Sequence, residues 1–433
     1  MRNATATADA PRAIVIGGSA GGLLAAATLR QGGWQADVYE RSPVELVGRG
    51  AGIATHPELE QALDESGVGS AELGLPVTYR VAFDRAGRVL ARRHHPQIVT
   101  SWDRLHQIAR QATPDDCYHL GHELATITQT DDGVTAVFAN GRTATGEVLV
   151  AADGFRSAVR GIYRPDVQPE YAGYVIWRGL VEEGDLPPAL HRRVFDHFTF
   201  HFPPCNENIG YPIPGRNNDL RPGHRRYNWV WYTCATPAQL ADILTDASGK
   251  RHEFGIPPAL LRPEIIAAMR AAAKQAVTQP LLDALDHIPR PFVTPIYDFC
   301  SPEFAFGRVA LVGDAAVMAR PHVGYGTTKA AGDAVALGRT LNAALADGGD
   351  VPAALRAYEA ERQPVGRSTY LRSRQLGSWM GVPFPSGAAD VIDETELHTL
   401  HGILRHTGSN EFLTGREPGR IMEAELGDYE AAQ

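Results

Sequence analysis

The chain has 433 residues, room for about two to three domains or one large two-lobed unit. Hydrophobic residues make up 44% and charged residues 21%, so material for a large core is present and disorder as the main state is excluded. Against 50 acidic side chains stand 41 lysines and arginines, a net charge of −9, which argues against sequence-independent nucleic-acid binding because that runs on excess positive charge.

Residues 13–16 form a short continuous apolar run, as expected of a parallel strand buried on both faces. Gly17-Gly18-Ser19-Ala20-Gly21-Gly22 follows at once. An Ala/Leu-rich helix over 23–31 is ended by Gly32-Gly33, and a second apolar strand over 36–39 closes with Glu40. This is a β-α-β unit. Residues 57–66 and 102–111 read as helices, and 81–92 alternates around Gly87 like a hairpin. Asp131-Asp132-Gly133, between apolar stretches at 124–130 and 134–138, is a hairpin signal. Residues 148–152 form an apolar strand leading into Asp153-Gly154.

From 171 to 234 the texture changes. Aromatic, strand-like stretches at 174–181, 194–202, 209–213 and 227–233 are separated by turn residues and read as an antiparallel insert. Ala-rich helices follow at 237–244 and 257–277. A buried strand at 308–312, Gly313-Asp314 and a helix over 326–346 return to the first style. The expected fold class is α/β. A discontinuous Rossmann-like nucleotide-binding lobe takes 1–80, 100–170 and 290–380; a β-rich substrate domain takes 81–99 and 171–289; the tail, 381–433, is partly helical.

Cys117, Cys205, Cys234 and Cys300 lie far apart and form no C-x-x-C pair, so they read as reduced thiols in a cytoplasmic protein. No apolar run approaches the roughly 18 residues that a membrane helix needs. His94 and His95 would point apart on a strand, and no metal site is expected. A homodimer is left open.

The first β-α turn is close to the dinucleotide fingerprint G-x-G-x-x-G, with Gly17 first, Ser19 in the middle and Gly22 last. The first glycine permits the tight turn, the middle position lets backbone approach a pyrophosphate, and the last lets helix pack on strand. Ser19 departs from the pattern, but its small side chain can still hydrogen-bond a phosphate. Ala20 opens a helix whose N-terminus offers free N–H groups. Glu40, 18 residues beyond Gly22, stands where an acid binds an adenosine ribose, with Arg41 and Arg49 as further cofactor candidates. The same turn matches G-x-S-x-G, the nucleophile elbow of serine hydrolases, which would make Ser19 a nucleophile; the position on the first strand and Glu40 speak against that.

Two later segments add specificity. One is Ala152-Asp153-Gly154-Phe155-Arg156-Ser157-Ala158-Val159-Arg160. The other is Gly313-Asp314-Ala315-Ala316, continuing to Pro321-His322-Val323-Gly324-Tyr325-Gly326. With them the chain resembles, over residues 12–375, the single-component FAD-dependent aromatic hydroxylases of the para-hydroxybenzoate hydroxylase superfamily. These carry A-D-G-x-x-S-x-x-R and a late G-D-A-A followed by P-x-x-G-x-G. The Gly-Gly-Ser turn, Trp177-Arg178-Gly179, Asn228-Trp229-Val230-Trp231-Tyr232 and the run from Ala316 to His322 are similar to the 2,6-dihydroxypyridine 3-hydroxylase branch. Many members have a histidine at Val317 and an arginine near Trp102, which leaves Arg104 as a weaker flavin contact.

The resemblance implies noncovalent FAD, with NADH or NADPH as a transient co-substrate that has no Rossmann unit of its own. It implies hydroxylation of a small phenol or hydroxypyridine by O2 through a flavin C4a-hydroperoxide, and places Asp153 and Gly154 near the FAD and the nicotinamide side. The residues themselves agree. Asp314 follows a buried strand and so stands at the carboxyl edge of a sheet, where ribityl hydroxyls would find it. Gly324 and Gly326 let backbone approach a flat ring, and Thr327 opens the next helix.

For the base or hydroxyl-binding group the candidates are His56, His201, Tyr211 and Tyr232. His56 follows a glycine-rich loop that in the family passes close to the flavin; its plainer reading is a cap on the helix at 57. The tyrosines have a plainer reading as core residues. Trp229 and Trp231 match half of the W-x-W-x-I-P string of flavin halogenases, an alternative that core packing outweighs.

Overall fold

The computed structural model describes residues 10–46, 48, 52–381, 399–410, 413 and 429–430. β1 (Arg12–Ile16), α1 (Ala20–Gln31) and β2 (Gln35–Glu40) form the opening β-α-β unit. β3 (Gly52–Ala54), α2 (Pro57–Glu65), the long hairpin β4 (Leu75–Phe83) and β5 (Val89–Ser101), and α3 (Trp102–Gln111) follow. Next come β6 (Tyr118–Leu120), a three-stranded meander of β7 (Leu124–Gln129), β8 (Val134–Phe138) and β9 (Thr143–Gly146), then β10 (Val148–Ala151) and α4 (Ala158–Tyr163).

The insert runs through β11 (Glu170–Glu182), α5 (Pro188–Val194), β12 (Phe198–His201), β13 (Asn206–Ile213), β14 (Arg226–Cys234), α6 (Pro237–Ile243), α7 (Pro263–Ala276) and α8 (Gln279–Leu285). β15 (Phe292–Cys300), β16 (Ala305–Phe306), β17 (Val309–Leu311), β18 (Val317–Met318), α9 (Gly326–Ala346) and α10 (Val351–Leu376) complete the main body. Beyond it lie α11 (Leu400–His406) and β19 (Tyr429–Glu430).

A six-stranded sheet has the order β16-β17-β10-β1-β2-β6. Its central strands are parallel, and every residue of β10 and β17 is buried, which is why both read as unbroken apolar runs. α1 and α9 pack on one another so closely that a Cβ on Gly338 would meet Thr28 Cγ2 at 2.4 Å. The larger sheet has ten strands, in the order β18-β15-β11-β14-β13-β12-β4-β5-β19, with β3 on β5.

Alternation along β14 divides the two sides of the larger sheet. Tyr227, Trp229 and Trp231 bury against α5 to α8, whereas Val230 and Tyr232 belong to the core on the opposite face. Trp229 Nε1 donates to the Leu281 carbonyl at 2.8 Å and Trp231 Nε1 to Asn206 Oδ1 at 2.9 Å. Both indoles are core residues with satisfied N–H groups, so the tryptophans carry no halogenase signal.

The structure corrects the sequence reading in places. β15 pairs with β11 in the larger sheet, although 290–380 reads as nucleotide-binding; Pro295 inside the strand hides it from a pattern search. Residues 188–194 are helical, so the strand expected at 194–202 starts at Phe198. The long α10 has no counterpart in the sequence reading.

Candidate active site

Two cavities adjoin at Ser19, Trp102, Ala152 and Gly154, which line both. The smaller, about 310 Å³, lies at the carboxyl ends of β1, β2 and β10. The larger, about 460 Å³, runs between the Ser19 turn and Gly313-Asp314 on one side and the aromatic face of the larger sheet on the other.

At the smaller cavity Gly17 has φ +108, and a Cβ there would meet the Ala152 carbonyl oxygen at 2.3 Å, so only glycine fits this turn. Glu40 is buried at 7% exposure and accepts the Gly18 N–H on Oε2 at 2.8 Å and the Ser42 N–H on Oε1 at 2.9 Å. Those bonds fix the carboxylate, which lines the smaller cavity with acceptor capacity left over. Arg41 also lines it, beside Tyr39, His122 and Leu124, a partly aromatic wall that suits a purine. Asp153 Oδ2 accepts from the Ala158 and Val159 N–H groups, at 2.8 and 3.3 Å, and so caps α4. Its buried Oδ1 has no partner, and burial raises its pKa. The helix-capping reading of Asp153 holds, and the residue also lines the smaller cavity.

Between the cavities Ser19 is the N-cap of α1 and its side chain makes no capping bond. Ser19, Ala20 and Gly21 line the larger cavity at the positive end of that helix, a ready anion site. Gly22 lines neither of these two cavities; a Cβ there would stand 2.0 Å from the Gly17 oxygen, so it serves helix-on-strand packing. No described histidine or carboxylate hydrogen-bonds the Ser19 hydroxyl, which removes the geometry a hydrolase would need. Ser19→Gly is therefore expected to retain FAD with less than about a tenfold change in Kd, the scale of one neutral hydrogen bond, by titration of the apoprotein.

Asp314 lines the larger cavity and has no hydrogen-bond partner among the described residues. Burial raises its pKa, against the nearby positive charge of Lys329. A network beneath it fixes the turn. Asp333, 1% exposed, accepts the Gly313 N–H at 3.1 Å, Lys329 Nζ at 3.0 Å and Arg362 Nε at 2.9 Å. Lys329 also donates to the Gly313 carbonyl at 2.9 Å. Gly324, Gly326 and Thr327 line the same cavity, and the space where Cβ atoms of Gly154 and Gly326 would stand is open for 4 Å. Unpaired carboxylate oxygens, free helix N–H groups and open glycine backbone are what a flavin dinucleotide requires of its protein.

The sheet face opposite presents Arg178, Phe198, Ile209, Tyr211, Val230 and Tyr232. Burial pushes the Tyr211 hydroxyl up to about 12 and that of Tyr232 well above its ordinary value. His322 lines the cavity, held by Glu207 Oε2 at 2.6 Å on Nδ1 and by the Tyr174 hydroxyl at 2.8 Å on Nε2. Arg320 is paired to Asp298 at 2.6 Å. Thr407 and Gly408 close the cavity from the C-terminal segment.

Several sequence candidates lie elsewhere. His56 does not line either cavity. Its Nδ1 is 3.1 Å from Thr328 Oγ1 and its Nε2 3.3 Å from the Gly408 carbonyl, and burial pushes its pKa down to about 4. It caps α2 through backbone only and pins the Gly408 wall, so it is not the base. His201 is also excluded. It lies on the opposite face of β12 from Phe198, bonds the Phe83 carbonyl through Nδ1 at 2.9 Å, and is lowered in pKa by burial. Arg104 turns to Glu72, donating to its carbonyl at 3.0 Å, and touches neither cavity. Arg49 lies outside the described residues. Sequence reasoning did not single out the roles of Trp102, His122, Arg320 or the wall at Thr407 and Gly408; those positions follow from tertiary contact alone. Among the described residues no group of three or more His, Cys, Asp or Glu side chains is placed to hold a metal ion, and no helix is long and apolar enough to cross a membrane.

Comparison with known proteins agrees with this geometry. A family model described as "FAD binding domain" matches residues 268–373, and one described as "FAD binding domain-like" matches 171–298. The chain is 32% identical over 372 residues to 2,6-dihydroxypyridine 3-monooxygenase of Paenarthrobacter nicotinovorans, covering 85% of this chain and 91% of that protein. It is 29% identical over 381 residues to the FAD-dependent urate hydroxylase of Klebsiella pneumoniae, covering 84% and 89%. The structure of 2,6-dihydroxypyridine-3-hydroxylase from Arthrobacter nicotinovorans superposes with a TM-score of 0.79 at 31% identity, covering 88% of this chain and 96% of the other. That of Klebsiella pneumoniae HpxO with FAD and uric acid gives 0.68 at 27%, covering 85% and 88%. The chain belongs to the single-component FAD-dependent aromatic hydroxylases of the para-hydroxybenzoate hydroxylase type.

Proposed function

We propose that the protein is an NADH- or NADPH-dependent FAD monooxygenase that hydroxylates a small electron-rich ring, a phenol or hydroxypyridine. The observation that carries this is a single cavity in which Asp314 and the Ser19 turn face the aromatic wall around Tyr211 and Tyr232. The α1 N-terminus and Ser19 would hold the pyrophosphate, Glu40 a ribose, and Asp314 a hydroxyl of the chain between the two ends of the cofactor. FAD supplies the electron transfer and the oxygen chemistry, which the protein side chains do not. The protein's part is to bind, orient and exclude water.

Tyr211 is 6% exposed, and with its hydroxyl pushed up to about 12 by burial it stays protonated at neutral pH. It therefore donates a hydrogen bond to a ring oxygen and does not act as a base. Tyr232 lines the same cavity farther along the sheet face, stacked on His322 with centroids 4.8 Å apart. Their aromatic faces and Phe198 make a slot for a flat ring.

The test is substrate-stimulated nicotinamide oxidation by the FAD-loaded protein, with product counted against nicotinamide consumed. Tyr211→Phe is expected to keep FAD and to lower the product yield per nicotinamide, with a KM rise of about fivefold for one lost hydrogen bond of ~1 kcal/mol. An FAD-loaded wild type whose nicotinamide oxidation responds to no phenol or hydroxypyridine would contradict the proposal.

A further inference from the structure

We propose that Cys205 and Cys234 form a reactive dithiol, outside both cavities, that a hydroperoxide closes reversibly to a disulfide. This modification site stands apart from the monooxygenase reading and needs neither substrate nor nicotinamide.

The two cysteines are 29 positions apart in the chain, and antiparallel pairing brings them together. β13 and β14 run in register as far as Asn206 opposite Thr233, and Cys205 and Cys234 are the next residue on each side. Cα atoms directly across an antiparallel pair are about 4.5–5.5 Å apart, inside the roughly 4.4–6.8 Å that a disulfide spans. Both sulfurs converge on the chain at Met380-Gly381. Cys234 Sγ lies 3.0 Å from the Met380 carbonyl and 3.6 Å from the Cys205 carbonyl. Cys205 Sγ lies 3.2 Å from where a Cβ on Gly381 would stand. Both cysteines are exposed. Cys117 and Cys300 are the contrast: each is half-buried, and the ionisable groups that act on it include no second thiol.

Local conformation does not account for a cysteine at 205. It sits in the turn Pro203-Pro204-Cys205-Asn206, closed by the Asn206 N–H on the Pro203 carbonyl at 3.0 Å, with φ +57. That left-handed conformation favours glycine or asparagine, and a β-carbon there is strained. The turn is held down by Trp379, whose Nε1 donates to the Pro203 and Asn206 carbonyls at 3.2 and 3.0 Å. The strained turn and its strap fix the Cys205 sulfur beside its partner.

The two thiols divide the chemistry. Burial, and then the neighbouring Cys205, push the Cys234 thiol up to about 11, so it stays protonated at neutral pH. Cys205 is therefore the attacking group. Its thiolate takes one oxygen of the peroxide, the O–O bond breaks, and the other oxygen leaves as water with the proton that the thiol gave up. Cys205 is then a sulfenic acid. The Cys234 sulfur attacks the Cys205 sulfur, the S–O bond breaks, and the hydroxyl leaves as water with the Cys234 proton. Two thiols lose two electrons and two protons, and one peroxide becomes two waters. Closure takes the thiol donor away from the Met380 carbonyl. Glu207, two residues along β13, holds His322 at the larger cavity, so the disulfide forms at the outer end of a strand that lines that cavity.

The test treats the purified full chain, incubated with FAD, with hydrogen peroxide at a dose that oxidises a cysteine peptide. Thiols are then counted in denaturant, the intact mass is measured, and bridges are mapped by peptide mass. Of the four cysteines, two are expected to stop reacting and the bridge to map to Cys205 and Cys234. The mass should fall by about 2 Da, and dithiothreitol should restore both thiols. Cys234→Ser should halt at a Cys205 sulfenic acid that dimedone captures, and Cys205→Ser should give neither bridge nor dimedone adduct. The double variant Cys117→Ser/Cys300→Ser should close like wild type. A wild type that keeps all four thiols, a bridge that maps to another pair, or lasting oxygen adducts in place of a bridge would overturn the proposal. No readout here measures hydroxylation, so such a failure leaves the monooxygenase reading standing.

Discussion

Asp314→Ala is expected to leave a folded protein that purifies nearly colourless. Asp314 stands at the carboxyl edge of the six-stranded sheet, lines the larger cavity, and has no hydrogen-bond partner among the described residues. Burial without a partner raises its pKa, so the carboxylate is held at a cost that a ligand's hydroxyl donors would relieve. Each charge-assisted hydrogen bond lost is worth about 1.5–3 kcal/mol, a weakening of about 10- to 150-fold. Titration of the apoprotein by flavin fluorescence reads this directly, and Asp314→Asn should fall between the variant and wild type. Because the folded apoprotein carboxyl is raised, FAD affinity should begin to fall on acidification at a higher pH than an ordinary carboxylate would give. An alanine variant with the wild-type Kd would remove Asp314 from the cofactor site.

Asp333→Ala is expected to cost more, and to cost stability. The side chain holds Gly313 N–H, Lys329 and Arg362 at once, and Lys329 is fully buried. Its removal leaves an ammonium in the core without its counter-charge, which is worth about 3–5 kcal/mol. Urea unfolding should show that loss as a lower midpoint with an unchanged slope. The pH dependence follows from the direction of the shift. Burial pushes the Asp333 carboxyl up, but Lys329 and Arg362 outweigh it and hold it below the usual carboxylate range. A depressed folded pKa gives a stabilisation that is complete above the unfolded value of about 3.9 and is lost as pH falls through the folded one. The difference between wild type and Asp333→Asn should therefore be constant near neutrality and shrink only below about pH 4. A difference that shrank between pH 8 and 6 would show that another group is being titrated.

The opening β-α-β unit and the helices at 102–111 and 326–346 were legible because their signals are local: an apolar run, a glycine turn, a helical period ended by a breaker. The same locality made Gly17, Ser19, Glu40, Asp153 and Asp314 visible, since a strand end fixes where the following side chain stands. The substrate side is assembled across strands that are distant in sequence, and there side-chain direction decides. His201 shows the failure plainly. Three residues from Phe198 on one strand, it must face the other way, a signal that period-2 alternation contains. His56 lies next to a cavity-lining loop, but its ring is turned to Thr328 and Gly408, and residue 408 comes from a tail whose pattern is less readable than the rest.

Oxygen insertion into an aromatic ring at this cavity can be followed atom by atom. The most direct measurement supplies isotopically heavy O2 to the FAD-loaded protein with NADH and 2,6-dihydroxypyridine, and weighs the product by mass spectrometry. The expected product is a hydroxylated ring carrying one heavy oxygen atom per turnover, formed only with the nicotinamide present. A product whose new oxygen comes from water, or nicotinamide oxidation that yields hydrogen peroxide and no hydroxylated ring with this and other phenols or hydroxypyridines, would contradict it.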